Sequence, residues 1–252
     1  MKKCDRFEQL SKLLEESPEV WIGRRLDRLY DIIVINGENF IDLYELIKTT
    51  RGEEARSIWL ARKDIDKKEF FRKLLRPLLN YLGSSYALYE HTKKLVKKHY
   101  IGTQVESGYN DLVSEYFKGN TLNCFVEDLR SYFTHYAIPV LALNFNSNIN
   151  NECVTQIYLL KDRLMLQNFN WRRLSNVFLK TLPDGIEFAD IIFQFQKLRD
   201  EFYGKFRDIL ENHHKNETEQ VNTWGEEYNE LLKAMRAEIV RHANSITTGG
   251  KK

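Results

Sequence analysis

The chain has few cysteines, few prolines and no long apolar segment. Its 252 residues include three cysteines and four prolines. The three cysteines (Cys4, Cys124 and Cys153) are dispersed and none belongs to a Cys-x-x-Cys pair, so they predict neither a disulfide framework nor a zinc or redox site. The N-terminal sequence MKKCDR is polar, unlike a signal peptide, and no apolar run approaches the length of a membrane span. We therefore expect a soluble cytoplasmic protein without a membrane partner.

The chain also has little net charge. It contains 38 Lys and Arg residues against 36 Asp and Glu residues, a formal net charge of +2 at pH 7. This balance produces no overall field that would draw the chain to nucleic acid, so any such binding must be local. Hydrophobic residues make up 42% of the chain, enough for a sizeable core. Because no repeat or low-complexity linker interrupts it, we interpret residues 1–252 as one helical domain.

Apolar residues recur at helical spacing through most of the sequence. We predict a helix over 18–36 that ends at Gly37, and a long helix over 66–99 that Pro77 and Gly83 bend or break. Further helices are predicted from Thr121 to Tyr136, from Ile186 to Leu210 and after a cap at Asn216 and Glu219. This pattern is typical of a helical bundle.

One stretch, at about 139–161, has a different period. Leu141, Leu143 and Phe145 alternate with small or polar residues, and a β-branched run follows over 154–157. An asparagine-rich turn over 146–151 separates them. The sequence therefore predicts a mainly α fold, a helical bundle with an inserted two-stranded β-hairpin.

The predicted helix from Thr121 to Tyr136 has an apolar side and a polar side at about 100° per residue. The polar side carries no lysine and consists of Asn123, Cys124, Glu127, Asp128, Arg130, Ser131, Thr134 and His135. A guanidinium is a planar donor that suits phosphate, and an imidazole moves protons near neutral pH. Arg130 and His135 lie toward opposite edges of this side, yet both can reach one ligand at the end of the helix. Together they suit phosphodiester chemistry without a metal.

A purely structural explanation is available for both residues. Arg130 can pair with Glu127 three residues earlier, and His135 can occupy the helix C-terminus, where a positive charge is favoured. Spacing alone favours this explanation, because short motifs recur by accident.

The segment DLRSYFTHYAIP, residues 128–139, resembles the Arg-x4-6-His motif of the HEPN superfamily. The resemblance implies a helical bundle, a homodimer in which two motifs face each other, and no metal or cofactor. Many members are metal-independent endoribonucleases of toxin–antitoxin systems and phage defence. It therefore implies an RNA substrate, a bacterial defence role and a partner protein from such a system.

The resemblance also implies roles for individual residues. Arg130 would contact the scissile phosphate, and His135 would transfer a proton as the RNA 2′-hydroxyl attacks. The products would carry a 2′,3′-cyclic phosphate and a free 5′-hydroxyl. Ser131 is the third candidate, standing where many members have Asn, Asp or His. This departure leaves two alternatives open, a catalytically inactive helical module that dimerises or binds a partner, and an accessory subunit that binds nucleic acid without cleaving it.

Several basic residues precede this motif. Between Arg72 and Lys98 seven basic residues stand against one acid, Glu90, and four of the seven are Lys93, Lys94, Lys97 and Lys98. Such a stripe can follow an RNA backbone, although a solvated helix face explains it as well.

Two smaller features have structural explanations that we favour. Adjacent His213 and His214 point about 100° apart on a helix and make a poor chelate, so we expect exposed helix-end residues and no metal site. In Trp171-Arg172-Arg173 the ring could stack on a base. We expect instead that Trp171 anchors a short helix in the core.

Overall fold

The computed structural model of the chain describes residues 3–49, 64–136, 141–147, 153–166 and 168–249. Within these ranges the protein is mainly helical, with nine helices and three short strands. The elements are α1 (Lys3–Glu16), α2 (Pro18–Thr49), α3 (Asp64–His99), α4 (Gln104–Tyr116), α5 (Thr121–His135), β1 (Leu141–Ser147), β2 (Cys153–Leu160), α6 (Lys161–Leu166), α7 (Arg173–Thr181), β3 (Gly185–Glu187), α8 (Phe188–His213) and α9 (Lys215–Gly249). No helix in the described ranges is both long and apolar enough to cross a membrane.

The predicted end of α2 at Gly37 is wrong, because the helix continues to Thr49. A glycine that ends a helix usually does so by adopting a positive φ angle. In the described chain that conformation belongs to Gly102 and Gly119. Gly37 is therefore an ordinary helical residue.

A break of α3 at Pro77 or Gly83 is ruled out, because the helix includes both residues and runs without interruption to His99. A bend at these residues stays a prediction. A proline inside a helix deprives the carbonyl four residues earlier of its hydrogen bond. That carbonyl belongs to Lys73, an exposed residue. Water can therefore solvate the carbonyl, which reduces the cost of the proline.

The chain divides into two compact units, residues 1–30 with 210–252, and residues 31–209. In the first unit α1 packs against α9. Phe7 stacks on Tyr228 with ring centroids 4.6 Å apart, and Arg6 donates two hydrogen bonds to the carboxylate of Glu227. Because this ion pair is partly exposed, burial of the rings contributes more to stability than the pair does.

The second unit contains the main apolar core and every residue of the predicted site. Its most buried side chains come from α3, α5, β2 and α8, and include Leu74, Leu78, Tyr81, Phe125, Leu129, Leu159, Phe188 and Ile192. α5 lies in contact with α3 and with α7. The core therefore holds the motif helix between two other helices of the same unit.

A polar contact joins α2 to α3 inside this unit. Asn36 is only 2% exposed. Its Nδ2 donates to Ser84 Oγ at 2.8 Å and to Ser85 Oγ at 3.0 Å. These bonds satisfy a buried amide that would otherwise be costly.

The strands form one antiparallel sheet in the order β1, β2, β3. β1 pairs with β2 from Leu141 opposite Leu159 to Ser147 opposite Cys153. β3 pairs with the other edge of β2, where Glu187 lies opposite Tyr158. The prediction of two strands missed β3, whose three residues are too short to show a period. Residues 137–140 and 148–152, which hold Pro139 and most of the predicted turn, lie outside the described residues.

Candidate functional site

The start and rotation of α5 are set by local sequence. Gly119 takes a φ of 81°, and the Asn120 side chain then accepts a hydrogen bond from the backbone N–H of Asn123 at 3.0 Å, an N-cap. The helix buries a stripe formed by Phe125, Val126, Leu129, Tyr132 and Phe133. Of the two other residues on the predicted apolar side, Leu122 is half-buried and Tyr136 is exposed, so the prediction is wrong for Tyr136. Burial of this stripe decides which neighbour each polar side chain of α5 faces.

Arg130 lies over the ring of Tyr86 in α3. Its guanidinium carbon is 3.8 Å from the ring centroid, a close cation–π contact. Pairing of Arg130 with Glu127, the structural alternative, is not observed. Glu127 instead accepts from Asn123 at 3.0 Å and from Arg172 at 2.8 Å. Within the described ranges Arg130 makes no ion pair with an acid.

Arg172 forms hydrogen bonds with several groups on the polar side of α5. The Arg172 backbone N–H and Nε donate to the Asp128 carboxylate at 2.8 and 2.6 Å, and its Nη2 donates to the Cys124 carbonyl at 2.7 Å. Ser175 Oγ donates to Asp128 at 2.6 Å. Burial lowers the pKa of Arg172, but the bonds and charges of Glu127 and Asp128 outweigh this and leave a net upward shift. We use the name Arg172 cluster for Arg172 and the residues bonded in this network: Cys124, Glu127, Asp128 and Ser175.

Trp171 is buried beside this cluster, at 6% exposure. Its ring stacks on Tyr132 and on Phe125, with centroid distances of 5.6 and 5.7 Å. The expectation that Trp171 anchors the segment after the strands is confirmed. Neither Trp171 nor Arg172 is disposed to bind a base, because the ring is enclosed and the guanidinium is bonded to α5.

Arg130 also lines a pocket between α3, α5 and α8. The pocket measures about 430 Å³, including space open to solvent. Its wall includes Arg199 of α8 and the rings of Tyr86, Tyr89 and Tyr203. We call it the Arg130/Arg199 pocket. It places two guanidinium groups at one concave site.

Sequence reasoning missed Arg199. The residue is 5% exposed, and its guanidinium lies 5.4 Å from the Phe195 ring and 5.6 Å from the Tyr203 ring. A detectable sign was present, because Arg199 falls within the apolar stripe of α8, four residues after Phe195 and three before Phe202. A charged residue at such a position must find an unusual environment.

Ser131 and His135 do not line the Arg130/Arg199 pocket. Ser131 is half-buried, and His135 is exposed as the last residue of α5. At about 100° per residue, Arg130 and His135 point some 140° apart, and the described contacts include none between them. The structure thus leaves the three motif residues at one helix end without bringing them into one pocket.

The four candidate RNA-binding lysines are all exposed on α3: Lys93, Lys94, Lys97 and Lys98. The Lys93 Nζ is 5.9 Å from the centroid of the Tyr89 ring, and Tyr89 lines the pocket. None of the four makes an ion pair within the described part of the chain. Of these four lysines, Lys93 therefore lies beside a residue of the pocket wall.

In the described ranges no group of three or more His, Cys, Asp or Glu side chains could hold a metal ion. The prediction that both adjacent histidines are exposed is wrong for His214, which is 5% exposed. Burial lowers the pKa of His214, which favours the neutral imidazole. His213 is exposed at the end of α8, as predicted.

Comparison of the chain with protein-family models, with curated proteins and with solved structures found no match.

Proposed function

We propose that this chain is a HEPN-like protein that binds RNA and cleaves it without a metal ion, with Arg130 and His135 as catalytic residues. The main support is that Glu127, the acid one turn before Arg130, is bonded to Asn123 and Arg172. The guanidinium of Arg130 is therefore available for a phosphate. His135 is exposed at the end of the same helix. The setting in phage defence or a toxin–antitoxin system rests on the resemblance of residues 128–139 alone.

In the proposed reaction the RNA 2′-hydroxyl oxygen bonds to the adjacent phosphorus and the bond from phosphorus to the 5′-oxygen breaks. His135 moves the proton lost by the 2′-hydroxyl, and the leaving 5′-oxygen takes up a proton. Arg130 stabilises the negative charge that develops on the phosphate oxygens. No water or cofactor is consumed, so the products are a 2′,3′-cyclic phosphate and a free 5′-hydroxyl.

The test is cleavage of mixed RNA by purified protein in the presence of a chelator. His135→Ala removes the proton-transfer group and should lower the rate by roughly two to four orders of magnitude. Arg130→Ala should be similarly damaging, and Arg130→Lys should restore little, because an ammonium lacks the planar two-point contact with phosphate. Ser131→Asn, which introduces a commoner family residue, should leave activity equal or higher.

His91→Ala is the matched control, because His91 is an exposed histidine on α3. It should cleave at the wild-type rate. If the wild-type protein cleaves RNA and His135→Ala cleaves equally well, the assignment of the site is wrong.

One observation favours a second function, a catalytically inactive module that binds a ligand or a partner protein. The pocket that includes Arg130 contains neither Ser131 nor His135. A pocket without the proton-transfer residue suits binding rather than cleavage. RNA binding by wild-type protein without any cleavage would instead support the accessory subunit that binds nucleic acid, as distinct from both the nuclease and this module.

In the proposed complex the exposed lysines Lys93, Lys94, Lys97 and Lys98 contact the RNA backbone. Replacing all four by glutamine should weaken RNA binding to a similar degree for all sequences. It should also make the salt dependence of binding shallower, because fewer counterions are released. Unchanged salt dependence would leave the lysines as a solvated helix face.

The proposal includes a homodimer through the Arg130 and His135 end of α5. In each chain Glu127 and Asp128 are already bonded by Arg172, so the remaining polar residues of α5 would form the contact. Light scattering at micromolar concentration measures the mass directly. A monomer would argue against the dimer and against a cleft built from two motifs.

A further inference from the structure

Arg199 is a buried positive charge with incomplete hydrogen bonding. Its Nη1 donates to the Ser85 carbonyl at 2.9 Å. Its Nε and Nη2 are buried and have no hydrogen-bond partner within the described residues. An unsatisfied buried donor on a charged group is costly. Stability of the fold therefore does not explain why a buried arginine with two unbonded nitrogens occupies this position.

The two unbonded nitrogens lie on the same edge of the guanidinium. This edge presents two parallel N–H bonds, which is the geometry of bidentate contact with a carboxylate or a phosphate. The neighbouring acid Asp200 accepts from Gln196 Nε2 at 2.7 Å and is attracted by the charge of Arg199, but it makes no ion pair with Arg199 in the described chain. The free edge belongs to a side chain that lines the pocket.

The charges around the pocket favour a doubly negative group over a single carboxylate. Arg130 and Arg199 both line it, whereas the one acid of the described lining, Glu127, is bonded to Arg172 outside the pocket. Tyr86 and Tyr89 also line the pocket, and the Tyr86 ring lies against the Arg130 guanidinium. Two guanidinium groups in a partly enclosed site match the double negative charge of a phosphate.

We propose that the Arg130/Arg199 pocket binds a phosphate group, held by Nε and Nη2 of Arg199 on one side and by Arg130 on the other. The phosphate would be carried by a nucleotide or by an RNA end and enters from the side open to solvent. Because Nε and Nη2 are buried in this structure, its binding requires the Arg199 side chain to turn toward the pocket. Binding of this group does not require His135 and goes beyond the proposed cleavage. The site would bind phosphate whether or not the chain is a nuclease.

The experiment is calorimetric titration of the whole chain with inorganic phosphate, with adenosine monophosphate, and with a short RNA that carries a terminal phosphate. The wild-type protein should bind, and Arg199→Met should weaken binding roughly tenfold to a hundredfold through loss of charge-assisted hydrogen bonds. Arg130→Gln, a change at a half-buried residue, should also weaken it. The second variant keeps the test valid if Arg199→Met does not fold.

Lys197→Gln is the matched control, because it removes one positive charge from an exposed position on α8, two residues from Arg199. It should bind phosphate within about twofold of wild type, since exposed charges are screened. His135→Ala should bind phosphate normally even if it no longer cleaves RNA. Failure of cleavage and failure of phosphate binding are thereby separated.

The three ligands also identify the source of the phosphate. Tightest binding of the mononucleotide supports a nucleotide pocket, and tightest binding of the phosphorylated RNA supports recognition of an RNA end. The proposal is overturned if none of the three binds at millimolar concentration, or if acetate at matched ionic strength binds as well as phosphate. It is also overturned if folded Arg199→Met and Arg130→Gln both bind like wild type.

Discussion

The arginine residues in and around α5 have two different kinds of environment. On one side Arg172 donates to Asp128, to Glu127 and to a backbone carbonyl, so its charge is matched within the chain. On the other side Arg130 and Arg199 contact aromatic rings and make no ion pair in the described ranges. The first arrangement stabilises the fold, and in our proposal the second leaves positive charge for a phosphate ligand. The contrast separates arginines that maintain structure from those that suit a site.

The largest stability effect is expected from removing the acceptor of the Arg172 cluster. Asp128→Ala deletes the carboxylate that accepts from Arg172 and from Ser175. The free energy of unfolding should fall by about 2–3 kcal/mol, because bonds to a buried charged group are lost. Urea denaturation measures this. Asp111→Ala, at an exposed position on α4, should change stability by less than about 0.5 kcal/mol.

Replacement by methionine at Arg172 and at Arg199 tests whether the first arginine stabilises the fold and the second does not. Arg172→Met leaves Asp128 buried without its main partner and should cost about 1–2 kcal/mol, a value reduced by the 48% exposure of the Arg172 side chain. Arg199→Met replaces a buried charge by an apolar side chain and should leave stability unchanged or raise it by up to about 2 kcal/mol. Equal losses in denaturation experiments would contradict the distinction.

A smaller effect is expected from Glu127, which belongs to the Arg172 cluster and also lines the pocket. Glu127→Gln removes the negative charge while keeping an acceptor. Stability should fall by less than about 1 kcal/mol, because the ion pair is partly exposed. Phosphate affinity should rise roughly threefold as repulsion of the anion is removed. A fall in affinity on titration would show that Glu127 supports the pocket.

The smallest effect concerns Cys124, whose carbonyl accepts from Arg172. Burial raises the pKa of the Cys124 thiol despite the nearby guanidinium, so less thiolate forms at pH 8. Iodoacetamide should therefore modify Cys124 more slowly than the exposed Cys4. Peptide mass spectrometry follows both sites, and the rates should converge in denaturant. Faster modification of Cys124 would mean that Arg172 activates the thiol.

Local periodicity was sufficient to predict α5 and its buried stripe, because five apolar residues recur at helical spacing over 125–133. Single glycine and proline residues predicted the helix boundaries less well. Gly37 and Pro77 lie inside helices, since packing of an apolar face outweighs the modest local cost of either residue. The end of α2 was therefore predicted too early, because the helix continues past Gly37 to Thr49.

The candidate site was only half visible in the sequence. Arg130 was predicted from a short motif, but its lack of pairing with Glu127 depends on Arg172, which lies 45 residues after Glu127 in the chain. No spacing rule relates positions so far apart. Arg199 was detectable as a charge in an apolar stripe, although its presence in one pocket with Arg130 depends on tertiary packing.

The buried polar contacts on α3 also have a consequence for helix register. Asn36 reaches Ser84 and Ser85 from α2, and Arg199 reaches the Ser85 carbonyl from α8. Two helices, α2 and α8, are thus bonded to one turn of α3. Apolar side chains tolerate sliding by one helical turn of about 5.4 Å far better than directed hydrogen bonds do. The hydrogen bonds at Ser84 and Ser85 therefore fix the axial positions of α2 and α8 relative to α3.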